Sequence, residues 1–121
     1  MKKTVVLGAS PDASRYSNLA SRMLDSAGFE FVPVGIRKGI INGKKILDLR
    51  DKPKIEDVHT VTMYMNPKNQ KVWYDYILDL DPKRIIFNPG TENFELAKLA
   101  KSKGIETEFA CNLVLVQTGQ F

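Results

Sequence analysis

Gly8-Ala9-Ser10-Pro11 stands directly behind the apolar run Thr4-Val5-Val6-Leu7. A small, glycine-led turn of this kind lets an anion approach the backbone. A helical pattern begins just after it, and the first turn of a helix carries N–H groups with no internal partner, aimed at whatever fills the preceding loop. The chemistry these residues suit is therefore the holding of phosphate groups, with the amides of Gly8, Ala9 and Ser10 as donors. Arg15 could clamp a pyrophosphate by two parallel hydrogen bonds, and Ser17 could assist. Tyr16 could stack on a ligand or pack under the loop. Both Arg15 and Tyr16 could equally be surface residues near a helix start.

Groups for bond-breaking chemistry are sparse. The chain has one histidine and one cysteine. His59 falls at the start of a strand, opposite the expected site, and reads as a packing or surface residue. Cys111 falls on the correct side, but no histidine is near enough in the expected fold to activate it. One Cys and one His make no Cys/His metal site. Asp48, Asp51, Glu56 and Asp57 cluster around Pro53 and read as solvated. No catalytic set and no metal site are expected.

The elements that must position the phosphate-binding turn alternate along the chain. Strands are predicted over 4–7, 29–34, 59–65, 84–87 and 106–110. Ala20, Met23, Leu24 and Ala27 recur on one helical face, and Gly28 is placed to stop that helix. Residues 40–46 contain Asn42-Gly43, which favours a tight hairpin. Asn66-Pro67 is a strong helix start, followed by the apolar stripe Val72, Trp73, Tyr76, Ile77 and Leu80. Thr91 is the expected cap of the next helix, whose buried side is Leu96, Ala97, Leu99 and Ala100. The tail from Leu113 could be a short helix or an edge segment. This order implies a Rossmann-like α/β three-layer sandwich with a mainly parallel five-stranded sheet, formed as one domain over residues 1–121.

Ligands of such sheets bind beyond the carboxyl ends of the strands. The residues there are glycine, proline, small polar and basic, with no acid among them. A dinucleotide dehydrogenase has Gly-x-Gly-x-x-Gly after its first strand, where Ser10 and Ala13 stand in the second and third places here. An NAD enzyme also has an acid after its second strand, where this chain has Gly35-Ile36-Arg37-Lys38. Arg37 and Lys38 favour a phosphorylated ribose, as in NADP or coenzyme A. A solvated loop pair is the alternative.

Of the residues, 43% are hydrophobic and 26% charged, a globular composition. No apolar run approaches the ~20 residues that span a bilayer. The start Met1-Lys2-Lys3 leads into a strand without a cleavage signal. A single cysteine suits a reducing compartment, so a cytoplasmic protein is expected. The net charge of +4 fits an anionic small molecule. Nucleic acid is not expected, because no arginine-rich run or aromatic–basic interleaving occurs.

In these motifs the chain resembles the small single-domain CoA-binding proteins, which look like the nucleotide-binding domain of the succinyl-CoA synthetase alpha subunit standing alone. Residues 5–11, Val-Val-Leu-Gly-Ala-Ser-Pro, match the family's opening. Residues 34–39 are similar to the turn after its second strand, where Lys38 is the closest match to a lysine that meets CoA. Tyr64-Met65-Asn66-Pro67 and Asn88-Pro89-Gly90 resemble the turns after strands three and four. Gly35-Ile36 departs from the Asn-Pro of the small proteins, and Cys111-Asn112 from a Cys-Pro ending. The synthetase's phosphohistidine belongs to a second domain, so the resemblance implies binding of CoA or an acyl-CoA without ligase chemistry. For such a ligand the residues predict pyrophosphate at residues 8–10 with Arg15 and Ser17 assisting, and the 3′-phosphate met or flanked by Arg37 and Lys38 after Gly35. Tyr64 and Asn66 then line the adenosine or pantetheine path, and Gly90 allows close backbone approach. The alternatives are a small NADP-dependent reductase or a transferase using Cys111, and a nucleotide-sensing regulatory module with an exposed apolar tail.

Overall fold

The computed structural model describes residues 2–121. Its strands are β1 (Thr4–Leu7), β2 (Phe31–Gly35), β3 (Ile40–Ile41), β4 (Lys44–Lys45), β5 (Leu47–Asp48), β6 (Thr60–Met63), β7 (Arg84–Phe87) and β8 (Glu106–Phe109). The helices are α1 (Tyr16–Ser26), α2 (Pro67–Gln70), α3 (Tyr74–Asp79), α4 (Phe94–Ser102) and α5 (Asn112–Gln117). One sheet has the order β5-β2-β1-β6-β7-β8, and every pairing in it is parallel. The expected hairpin is present as β3 and β4, antiparallel and separate from that sheet. The sheet carries a sixth strand, β5, which adds only Leu47 and Asp48 beside Val34 and Gly35. A two-residue strand is too short to show alternation in sequence.

Central parallel strands are covered on both faces, so they need β-branched and apolar residues throughout. Every residue of β1, β6 and β7 is buried. Alternate side chains feed two cores. Val5, Leu7, Val61, Met63, Ile85 and Phe87 face one core with Ile77 of α3 and Leu96, Ala97 and Ala100 of α4. Val6 and Ile86 face the other, with Leu24 of α1, Phe31 and Phe121, and with Leu115 and Val116 of α5 packed against it. The tail is thus a helix laid on the sheet. Edge strand β8 is half-covered and carries Glu106 and Glu108, polar residues that suit an unpaired edge.

Three helical details differ from the sequence reading. The buried face of α1 is Ser17, Asn18, Ala20, Ser21 and Leu24, while Ala27 is exposed. The buried polar side chains are satisfied locally, Ser21 Oγ donating to the Ser17 carbonyl at 2.8 Å and Asn18 Nδ2 to the Ser10 carbonyl at 3.0 Å, and apolar periodicity alone misses them. The segment after Asn66 is not one helix. Its Oδ1 does cap α2 by accepting the Asn69 N–H at 3.0 Å, but a 3-10 turn over Lys71–Trp73 then separates α2 from α3. Val72 is consequently 79% exposed. The cap of α4 is Asn93, whose Oδ1 accepts the Leu96 N–H at 3.0 Å, rather than Thr91. The Thr91 hydroxyl instead donates to the Asn88 carbonyl at 2.8 Å, and Leu99 is 40% exposed.

Candidate functional site

The loops at the carboxyl ends of β1, β2, β6 and β7 enclose a cleft of about 740 Å³. Gly8, Ala9, Ser10, Arg15 and Ser17 line it from the first loop and α1, and Gly35 and Arg37 from the second. Tyr64, Asn66 and Gly90 line it from the loops after β6 and β7. Lys38 is not among the lining residues. It lies close enough to Asp48 to help hold that carboxyl low, after the dominant hydrogen bonds from Arg50.

Close contact between the first two loops is a matter of missing atoms. A Cβ on Gly35 would stand 2.5 Å from the Ala9 carbonyl oxygen, so only glycine lets β2 pass the turn after β1. Gly8 takes φ +98° and lies against the backbone of Tyr64, a left-handed conformation that costs other residues energy.

The amides of this turn are unequally placed. Both the Gly8 and Ala9 N–H groups donate to the Val34 carbonyl, at 2.8 and 3.0 Å. Of the three amides expected to face an anion, only that of Ser10 has no acceptor among the described residues. The Ser10 hydroxyl accepts the Asp12 N–H at 3.1 Å, which shapes the loop. The stronger anion feature is the start of α1. Arg15 occupies its cap position without a side-chain capping bond, and no acid stands in its first turn. The partial positive charge of this helix end is therefore not neutralised by the helix itself.

Arg15, Arg37 and Lys68 are the charged side chains lining the cleft, and no carboxylate lines it. Asp12 lies nearby. Hydrogen bonds from the Ser14 hydroxyl and amide hold its carboxyl below the usual range, and Arg15 and Arg37 add to the effect. Asn66 is exposed at the cleft wall and engaged in its cap. Gly90 turns at φ +92° with open space where a Cβ would be, and its N–H donates to a Glu92 carboxylate oxygen at 2.8 Å.

Tyr64 is divided between two environments. The residue lines the cleft, and its side chain packs on the core that α1 and α5 also cover. Its hydroxyl is buried without a hydrogen-bond partner, and burial pushes the phenol's pKa up. Cys111 is half-buried at the start of α5 and does not line the cleft. His59 sits at the opposite end of the sheet, with Nδ1 2.8 Å from Thr60 Oγ1. Burial, then the charges of Arg84, Lys2 and Lys83, lower its pKa. Among the described residues no group of three or more His, Cys, Asp or Glu gathers as a metal site, and no helix is long and apolar enough to cross a membrane.

Sequence reasoning missed the residues that hold the far wall. Gln70 is fully buried. Its Nε2 donates to the carbonyls of Met65 at 2.8 Å and Thr91 at 2.9 Å, and its Oε1 accepts from Asn93 Nδ2 at 2.9 Å. One amide thus ties the loop after β6 to the loop after β7. Asn88 does similar work beneath them. Its Nδ2 donates to Thr62 Oγ1 and the Met63 carbonyl, and its Oδ1 accepts the Asn112 N–H. Met65, Lys68, Val72 and Trp73 complete the wall. The signal available for them was the Asn66-Pro67 helix start, which places the following turn at the strand ends.

The family model for the CoA binding domain matches residues 2–117. No curated protein matches the chain. Among solved structures, a crystal structure of an uncharacterized protein is 52% identical, with a TM-score of 0.96 over 100% of this chain and 98% of that one. A conserved hypothetical protein from Pyrococcus furiosus is 27% identical, with a TM-score of 0.77 over 90% of this chain and 93% of that one. An acetyl-coenzyme A synthetase from Ca. Korarchaeum cryptofilum is 22% identical, with a TM-score of 0.68. There 88% of this chain matches 25% of the synthetase, a likeness of fold alone. With nearly all of its length matched by one family model, and with a cation-lined cleft at its strand ends, the chain belongs to the family of CoA-binding domains.

Proposed function

We propose that the chain binds coenzyme A or an acyl-CoA and performs no bond-breaking step of its own. The pyrophosphate sits at the Ser10 N–H and the start of α1, with Arg15 beside it and Ser17 at the cleft wall. Arg37 meets the 3′-phosphate, and Lys38 flanks it. Tyr64 and Asn66 line the adenosine or pantetheine path, and the backbone at Gly90 closes it. One observation carries this reading. A helix of 11 residues with no capping side chain and no first-turn acid opens on a cleft whose charged lining is wholly cationic. A ligand with several phosphates complements both features.

An NADP-dependent reductase needs a proton donor in the cleft. The Tyr64 hydroxyl is buried away from solvent, and Cys111 is outside the lining, so neither supports that reading. A docking module with an exposed apolar tail is also less favoured, because Leu115 and Val116 pack on the core and Val114 is the one apolar residue of the tail segment that is exposed. The test is isothermal titration with CoA, 3′-dephospho-CoA, NAD and NADP. Tight binding of CoA, weakened by removal of the 3′-phosphate, is expected. Binding of NADP alone overturns the proposal in favour of the reductase.

A further inference from the structure

Three of the large apolar side chains most exposed on this protein gather in one place. Tyr16 is 74% exposed, Ile36 61% and Val72 79%, and all three line the cleft. Met65 and Trp73, each half-buried, line it too. Apolar surface collected in a concave site marks a binding surface. The exposure of Val72 comes from the backbone. A 3-10 turn advances about 120° per residue instead of about 100°, which carries Val72 off the buried stripe that a continuous helix would form. Gln70, the residue just before this turn, is anchored by its buried amide bonds.

The two walls of the cleft also differ in makeup. The loops after β1 and β2 bring two cations, Arg15 and Arg37, with Tyr16 and Ile36 between them. The segment after β6 brings three apolar side chains, Met65, Val72 and Trp73, with one cation, Lys68. A ligand fitting both walls sets its phosphates against the two arginines and an aliphatic group against Met65, Val72 and Trp73. We propose that the preferred ligand is a CoA thioester of a linear aliphatic acid, with its chain seated on Met65, Val72 and Trp73. This rests on the CoA reading of the same cleft.

The test is a titration with CoA and with acetyl-, butyryl-, hexanoyl- and octanoyl-CoA, read by calorimetry and by emission of Trp73, the single tryptophan. The adenine and phosphates are constant through this series, so only the chain varies. A fully buried methylene is worth about fourfold in affinity and a half-covered one about twofold. The expected result is a rise of at least about tenfold from acetyl- to octanoyl-CoA, with a progressive change in Trp73 emission. In Val72→Asn the ratio of octanoyl-CoA to CoA affinity falls severalfold. Equal affinity across the series, with CoA itself bound, overturns the chain proposal and leaves the CoA reading standing. A chain-length rise that Val72→Asn leaves unchanged overturns the assigned wall. Binding of none of them overturns the CoA reading and this proposal together.

Discussion

The two ends of the sheet both carry arginine, and they treat it in opposite ways. At the amino ends Arg84 is buried. Its Nε donates to Thr60 Oγ1 at 2.8 Å, and an Nη donates to the Phe121 carbonyl at 2.7 Å. The guanidinium lies 4.5 Å from the Phe121 ring centroid, and Glu108 stands 3.9 Å away. At the carboxyl ends Arg15, Arg37 and Lys68 are exposed, and among the described residues none forms an ion pair. A cation whose donors are used by protein holds the fold together. A cation whose donors face a cleft without acids is placed for something that arrives from solution. Charge composition cannot separate the two, because +4 is a sum over both.

Substitutions at each end sharpen the contrast. The largest effect is expected from Arg84→Ala, which removes buried hydrogen bonds and a cation–aromatic contact. A loss of about 3 kcal/mol in urea unfolding is expected, with CoA affinity of the folded protein unchanged. Next is Gly35→Ala. Its Cβ would meet the Ala9 carbonyl oxygen at 2.5 Å, and forcing the loops apart should cost about 2 kcal/mol and also weaken CoA. A Gly35→Ala protein as stable as the parent would show that the loops part freely.

Arg37→Glu with Lys38→Glu should leave the unfolding midpoint nearly unchanged, since exposed positions contribute little. The same change should weaken CoA by about tenfold more than 3′-dephospho-CoA. Equal losses for both ligands would remove the 3′-phosphate role. The smallest effect belongs to His59. Its pKa is lowered in the fold, so the unfolded chain takes up the proton first as pH falls. Stability is therefore complete above the unfolded value near 6.5 and declines below it, down to the depressed folded value. His59→Gln should flatten that step in a pH series of melts, without touching ligand affinity, because the residue lies at the opposite end of the sheet.

Much of the scaffold was legible because its signals are local. Asn66-Pro67 marked a helix start through the cap alone, Asn42-Gly43 marked the hairpin, and the run 84–87 reads as a buried strand from its side chains. Ten of the eleven candidate site residues line one cleft, because strand-end turns of a parallel sheet converge whatever their details. The remainder depends on contacts between distant segments. Nothing near Gly8 and Ala9 in sequence shows that Val34 takes both amides. Lys38 stands next to Arg37 in the same loop, and only the folded loop shows that Arg37 lines the cleft and Lys38 does not. Gln70 looks like any polar helix residue until the carbonyls of Met65 and Thr91 are brought to it. Val72 reads as core because periodicity assumes one kind of helix.

The shared Val34 carbonyl has a consequence for isotope labelling. The Gly8 and Ala9 protons are locked onto β2 at the carboxyl end of the sheet, so deuterium should replace them slowly whether or not anything occupies the cleft. The neighbouring Ser10 proton has no such lock and should trade with solvent quickly until an anion covers it. Adjacent residues of one turn would then report separately, two on whether the chain is folded and one on whether the cleft is filled.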